Sequence, residues 1–159
     1  LGGRKIWSFP GISQAQTLSH MTLWAMMAAP LLASHDISQS SEFDLALLTN
    51  PEILAIDQDP LGAQGRLMGS KLGMWQVVKP LADGGFAVSV TNLTRVSRRI
   101  TIDVEQISRS GAAPVAPGGS YEVTNAWTMQ ALGSVTTLRS RLSAHDSVVY
   151  VCRPTLISE

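Results

Sequence analysis

The chain has 159 residues, enough for one domain with its own hydrophobic core or for parts of two. Its 12 basic and 12 acidic residues balance, and charged residues make up only 15% of the chain, so we predict no binding to nucleic acid and no membrane association. The single cysteine, Cys152, excludes an internal disulfide, and the histidines, His20, His35 and His145, lack metal-ligand spacing. We therefore expect neither a metal nor another cofactor.

The first regular pattern is that of a helix beginning after Ser13. Ser13 and Gln16 form a capping box, apolar residues follow at helical spacing, and Pro30 requires the helix to end near Ala29. On this helix we expect Trp24 in the core. The apolar stretch from residue 21 to 34 also resembles a signal peptide, but it has no positive leading region and is too short to span a bilayer. A buried helix followed by a buried strand is the preferred interpretation.

The run PLLAS at 30–34 predicts a strand buried on both faces, as in a parallel sheet covered by helices. A second helix follows it. Ser41 caps this helix, with Asp44 at its third position, and Asn50-Pro51 ends it. Helix, strand and helix in this order predict an α/β layer, and because one strand cannot make a sheet, we expect its other strands upstream of this chain.

From about Gly65 the sequence changes to short alternating strands. Two of them flank 82–85, where Asp83-Gly84 has the composition of a hairpin turn. A third, at 98–107, places Val104 on the same face as two isoleucines. Glycine-rich and proline-rich turns separate these strands from three later ones, a pattern typical of an antiparallel β-sandwich. The chain therefore divides into an α/β part at 1–64 and an all-β part at 65–159.

Ser34, His35 and Asp36 are consecutive, which raises the possibility of a catalytic triad. Three adjacent side chains rarely converge on one point, because neighbours point to opposite faces of a strand and splay apart around a helix. We therefore expect another explanation for this stretch.

Two stretches, 18–38 and 50–65, carry a specific resemblance. Together they are similar to the melibiase-type α-galactosidases of glycoside hydrolase family 27. The residues that fit the family pattern without a gap are His20, Trp24-Ala25, Ala29-Pro30-Leu31, Asp36, Ile56, Gln58-Asp59-Pro60-Leu61-Gly62 and Gln64-Gly65. Asp57 departs from the usual asparagine of the family and Ser38 from a frequent arginine, so the resemblance leaves the local hydrogen bonding around both positions open.

The resemblance implies a fold for each part of the chain. Residues 1–64 would form the last strand and flanking helices of a (β/α)₈ TIM barrel, with PLLAS as the eighth strand, and 65–159 the antiparallel β-sandwich domain that follows it. Ser34, His35 and Asp36 would then lie at the carboxyl end of a barrel strand, the face where such barrels build active sites. Trp7 would lie in the loop after the seventh strand, on the same face.

The family is composed of retaining glycosidases, which use two carboxylates about 5 Å apart. The resemblance places both catalytic aspartates on earlier strands, so no catalytic residue is assigned to this chain. Asp36, Ser34 and His35 are candidates for the active-site rim, the alternative for Asp36 being a polar cap after a strand. Trp7 could stack on a sugar or pack its loop. Asp57 and Asp59 are expected to form turns.

Two functions of different classes follow from these observations. The first is the C-terminal part of a retaining α-galactosidase, inactive on its own, whose parent hydrolyses terminal α-galactosyl groups of oligosaccharides. The second is a noncatalytic carbohydrate-binding or scaffolding sandwich. The helical part favours the first, because a free-standing sandwich has no use for an orphan barrel strand. The exact sugar, the oligomeric state and the compartment stay open, including export of a longer protein.

Overall fold

The computed structural model describes residues 12–33, 36–112 and 120–155. Its helical elements precede the first strand, except for one short helix between strands. The helices are α1 (Gln14–Met26), α2 (Glu42–Leu48), α3 (Pro51–Asp57) and α4 (Val104–Arg109), with a 3₁₀ turn at Ile37–Gln39. The strands are β1 (Arg66–Lys71), β2 (Met74–Pro80), β3 (Phe86–Asn92), β4 (Arg98–Asp103), β5 (Tyr121–Asn125), β6 (Gln130–Ser134), β7 (Thr137–Leu142) and β8 (Ser147–Pro154).

The strands form the two antiparallel sheets of a sandwich, as the sequence predicted. The larger sheet has the order β1-β2-β3-β8-β5-β6, and the smaller one pairs β4 with β7. The predicted hairpin at 82–85 joins β2 to β3, with Gly84 at φ +80° and the Asp83 carboxylate accepting a hydrogen bond from the Gly85 amide. Sequence reasoning missed the edge strands β1 and β6. It was wrong about Val104, which begins α4 because the Asp103 side chain caps that helix.

The central strands β3 and β8 are buried on both faces, and each face belongs to a different core. Alternate residues such as Phe86 and Val88 point toward the small sheet, whereas Ala87 packs with Val149 and Val151 under the helices. The molecule therefore has three layers: helices α1 to α3, the six-stranded sheet, and the two-stranded sheet with α4. The core under the helices contains residues from both sides of position 65.

Local sequence signals place the helices where they were expected. The capping boxes at Ser13 and Ser41 both form, and α1 ends at Met26, before Ala29. The second predicted helix ends at Leu48, and Asn50 starts the unpredicted helix α3 by accepting a hydrogen bond from the Ile53 amide. Among the described residues, no helix has the length and apolar character needed to cross a membrane.

The predicted strand at 30–34 is not seen in its described part. Residues 29–33 belong to no sheet, and Leu32, expected in the core, is 74% exposed. The physical reason is that a strand buried on both faces needs neighbouring strands and covering helices, and the described residues place no strand beside this segment.

Cys152 on β8 lies fully buried in the core between the two sheets, paired in register with Phe86. Burial raises the pKa of its thiol to about 12 from the ordinary 9.0. The raised pKa contributes stability that is present below pH 9.0 and is lost as the pH rises toward about 12.

We predict that iodoacetamide modifies Cys152 at pH 8 only when the sandwich opens, because the reactive species is an exposed thiolate. The expected modification rate of the native chain, measured by mass spectrometry, is at least roughly a hundredfold below that of the chain in urea. Modification of the folded chain at the rate of the unfolded one would contradict this burial.

Candidate functional site

Of the four residues predicted at the active-site rim, Asp36 lies within the described residues. It precedes the 3₁₀ turn, is exposed, and its carboxylate accepts hydrogen bonds from the Ser38 amide at 3.0 Å and the Ser38 hydroxyl at 2.6 Å. This geometry orients the start of the turn. Ser38 therefore acts as a local partner of Asp36, at the position where the family often has an arginine.

The other three candidates, Ser34, His35 and Trp7, lie outside the described residues. The positions of all four residues on an active-site rim therefore stay predictions. Among the described residues, no group of three or more His, Cys, Asp or Glu side chains could hold a metal ion.

Helix α1, which leads into this segment, packs on the sheet with only one face. Met21 and Ala25 are buried, whereas Trp24 is 37% exposed, so the expectation that Trp24 lies in the core was wrong. Its ring meets His20 edge-on, with ring centroids 4.5 Å apart, and burial lowers the pKa of that histidine. With Met27 and Leu32 also exposed, this end of the helical layer presents large apolar side chains to solvent.

Lys79 is the main polar side chain at the junction between the helices and the sandwich. It is 0% exposed, on β2, and points from the sheet into the helical layer. Its ammonium donates hydrogen bonds to the carbonyl oxygens of Ala25, at 3.1 Å, and of Ile56. These carbonyls belong to the last turns of α1 and α3, where backbone acceptors lack helical partners and the helix dipole favours a cation. One strand residue therefore caps two helices.

Two aspartates stand near this ammonium. Burial lowers the pKa of Lys79, and the charges of Asp57 and Asp59 oppose that shift. Burial raises the pKa of Asp57, against the effect of Lys79, and its buried Oδ1 has no hydrogen-bond partner among the described residues. Asp57 stands where the family usually has asparagine. Its carboxylate therefore lies near the buried Lys79 at the end of α3.

Asp59 forms a turn, as predicted, and its side chain also connects this turn to the hairpin between β2 and β3. Its carboxylate accepts hydrogen bonds from the amides of Leu61 at 3.0 Å and Ala82 at 3.1 Å. Asp57 instead ends α3 as its last helical residue, so the turn expected there was wrong.

Further hydrogen bonds join the helical layer to the turns of the sandwich. The Asn50 amide donates to the carbonyl oxygens of Ala126 at 3.1 Å and Trp127 at 3.2 Å, and the Trp127 indole donates to the Thr22 hydroxyl at 3.0 Å. At the junction itself, Gly65 donates to the Met26 carbonyl at 2.8 Å, and a Cβ at this glycine would lie 2.7 Å from that oxygen. The close approach requires glycine.

The fold and these contacts define the class of the protein: an antiparallel β-sandwich whose large sheet shares a core with a layer of helices that precede it in the chain. Two family models match the sequence in this order. The model described as "Alpha galactosidase A" matches residues 5–59, and the model described as "Alpha galactosidase C-terminal beta sandwich domain" matches residues 73–152. The chain belongs to the α-galactosidases of glycoside hydrolase family 27 and is similar to their C-terminal portion.

Individual relatives agree with this assignment. The human protein "Alpha-galactosidase A" is 37% identical over 106 residues, covering 64% of this chain and 24% of the human protein. "Alpha-galactosidase" from Oryza sativa subsp. japonica is 28% identical over 144 residues, covering 91% of this chain and 33% of the rice protein. The crystal structure of α-galactosidase I from Mortierella vinacea superimposes with a TM-score of 0.84 at 20% identity, covering 98% of this chain and 40% of that one.

The matches also show how much of such a protein this chain represents. It spans between 21% and 37% of the length of three of the curated relatives it matches. The matched regions comprise the sandwich and the helical layer before it, while the greater part of each relative has no counterpart in these 159 residues.

Proposed function

We propose that this chain forms the C-terminal part of a retaining α-galactosidase that hydrolyses terminal α-D-galactosyl groups from oligosaccharides or glycoconjugates. The observation that carries the proposal is that both parts of the chain match the family in the right order and pack on each other through a common core. The names of the human and rice relatives support a galactoside as substrate.

Within this proposal, residues 1–64 supply the end of the catalytic barrel and residues 65–159 the sandwich domain. Asp36 and, on the same segment, Ser34 and His35 stand at the rim of the active site, and Trp7 offers an aromatic surface to a sugar. The rim residues hold or orient the substrate. The nucleophile and the acid/base carboxylate, which retention requires about 5 Å apart, are contributed by other strands of the barrel.

The role of the sandwich is to complete the last helices of the barrel. In the structure, β2 supplies the Lys79 ammonium that caps α1 and α3, and the turn after β5 binds Asn50. Because these contacts fix the segment that carries Asp36, the sandwich contributes to the geometry of the barrel's carboxyl end without touching substrate.

A chimera tests the proposal. The barrel portion of the rice relative, followed by residues 5–159 of this chain in place of its own matched region, is expected to hydrolyse p-nitrophenyl α-D-galactopyranoside. The 159-residue chain alone is expected to show no turnover, because it lacks the two catalytic carboxylates. The control is the rice barrel portion without any C-terminal part, which should be insoluble or inactive.

Two results would contradict the proposal. One is turnover by the 159-residue chain alone, abolished by replacing its own carboxylates. The other is a chimera that is monomeric and unfolds in a single thermal transition, yet has no activity. Gel filtration and calorimetry on the same preparation separate this second result from simple misfolding.

A further inference from the structure

A groove of about 510 Å³ opens between the edge of the large sheet and β4 of the small sheet. Its lining combines apolar residues, among them Met74, Val90 and Ile100, with the polar and basic residues Lys71, Gln76, Ser97, Arg98, Arg99 and Thr101. Two of its cationic residues, Lys71 and Arg98, start from strand faces that look toward the space between the sheets, and none of its lining residues is acidic. A groove of this kind favours an anionic ligand.

Arg98 lines the β4 side of the groove and is half-buried. Side chains two positions apart on a strand lie on the same face, and Ile100 and Ile102 of β4 face inward. Arg98, two positions before Ile100, therefore starts from the same face, which looks toward the large sheet. Its Nε atom is buried and has no hydrogen-bond partner among the described residues. A buried donor without a partner is costly, and a guanidinium that binds a carboxylate or sulfate oxygen through its terminal nitrogens gains charge-assisted hydrogen bonds.

The outer face of the small sheet extends the positive charge of the groove. Arg99 lies directly opposite Arg141 in the β4–β7 pairing, and Thr101 lies opposite Arg139. Like charges directly opposite each other destabilise a sheet. The ion pairs found among the described residues involve Arg109 and Arg153, so these three arginines have no acidic partner there.

The net charge of the whole chain is balanced, but its positive charges are concentrated in the sandwich. Residues 65–159 contain ten of the twelve lysines and arginines but only six of the twelve aspartates and glutamates. The acidic excess therefore lies in the helical part, on the opposite face of the large sheet from β4 and β7.

We propose that the groove between β1–β2 and β4 binds the anionic group of an acidic sugar residue, either a uronate carboxylate or a sulfate ester, within a polysaccharide chain. Lys71 and Arg98 would bind the anion, and Gln76 and Ser97 offer hydrogen bonds to neighbouring hydroxyl groups. The apolar side chain of Met74 suits the C–H face of a sugar ring, and the concave shape favours a chain over a flat membrane. The choice of a saccharide rests on the proposed function.

Affinity electrophoresis of the 159-residue chain tests this site. We expect native gels containing polygalacturonate or a sulfated galactan to retard the chain, and gels containing neutral galactan to leave its mobility unchanged. Retardation by only one of the two polymers identifies the anion as carboxylate or sulfate, and either result supports the site. About 0.5 M salt should abolish the retardation, since exposed charges are then screened.

Two variants connect binding to the groove. The double substitution Lys71→Gln and Arg98→Gln, on the two sides of the groove, is expected to weaken the apparent affinity about tenfold or more. Arg109→Gln removes an exposed arginine on α4, outside the groove, and should leave the affinity within about twofold of the original chain. Circular dichroism of each variant verifies that the fold is retained.

No retardation in either anionic gel, or equal retardation of the double variant, would overturn the proposal. Equal retardation by poly-L-glutamate would also overturn it, because the site would then bind any polyanion rather than a sugar. These outcomes are independent of catalysis: an active chimera with no binding refutes the groove alone, whereas an inactive chimera whose free chain still binds refutes the α-galactosidase assignment alone.

Discussion

Replacing Lys79 by methionine is expected to lower the free energy of unfolding by roughly 2–4 kcal/mol, because each buried acceptor left without a donor costs about 1–3 kcal/mol. Methionine fills a similar volume, so the loss comes from the hydrogen bonds to the Ala25 and Ile56 carbonyls rather than from a cavity. The release of a buried charge offsets part of this cost. Urea denaturation followed by circular dichroism measures the difference.

Lys71→Met is the matched control. Lys71 lies on the neighbouring strand β1, is exposed, and makes no ion pair among the described residues, so its replacement should change the stability by less than about 0.5 kcal/mol. Equal stabilities of the Lys79 and Lys71 variants would show that the ammonium at the helix ends contributes nothing, and that apolar packing alone joins the two layers.

Residues 65–159 expressed alone are expected to self-associate. Without the helices, the face of the large sheet that carries Val77, Val149 and Val151 becomes exposed. Lys79 on the same face loses the helix-end carbonyl oxygens to which it donates hydrogen bonds. A continuous apolar face on a sheet drives association or aggregation. Gel filtration and light scattering at several concentrations should show oligomers or aggregates, in contrast to the 159-residue chain.

A surface variant of the same fragment provides the control. Val77→Thr, Val149→Thr and Val151→Thr keep the β-propensity of these positions but make the face polar, and should restore a monomer if the sandwich core is intact. A monomeric fragment with its valines in place, unfolding in one cooperative transition, would contradict the expectation. It would favour the alternative of a free-standing carbohydrate-binding or scaffolding module.

The parts of the fold that local sequence determines could be predicted. Capping boxes at Ser13 and Ser41 and the Asp83-Gly84 turn depend on side chains within four residues of each other, and all three form. The alternation of Ile100 and Ile102 indicated the strand β4 correctly, since a period of two has no other common explanation. The family resemblance then supplied the order of the two parts.

The errors arose where the conformation or burial of a residue depends on parts of the chain that are distant in sequence. PLLAS has the composition of a strand, but 29–33 form none, because strand formation requires neighbours that the sequence of one segment does not contain. Trp24 is on a helix with one buried face, and helical spacing alone did not establish which face packs on the sheet.

Lys79 was the main functional residue of the junction that sequence reasoning overlooked. A signal existed: in MWQVVKP, alternation places this lysine on the same face as Val77, toward the helical layer, where a charge requires a partner. Its partners are backbone carbonyls at the ends of two helices, and their convergence appears only in three dimensions.

The most direct measurement of whether the helices and the sandwich form one unit is urea unfolding of the 159-residue chain by two probes. Ellipticity at 222 nm reports mainly on the helices, and pulsed labelling of Cys152 reports on the core between the sheets. A shared core and the Lys79 contacts require the two midpoints to coincide within about 0.2 M urea. Loss of the helical signal at clearly lower urea, with Cys152 still protected, would show instead that the sandwich stands without the barrel segment.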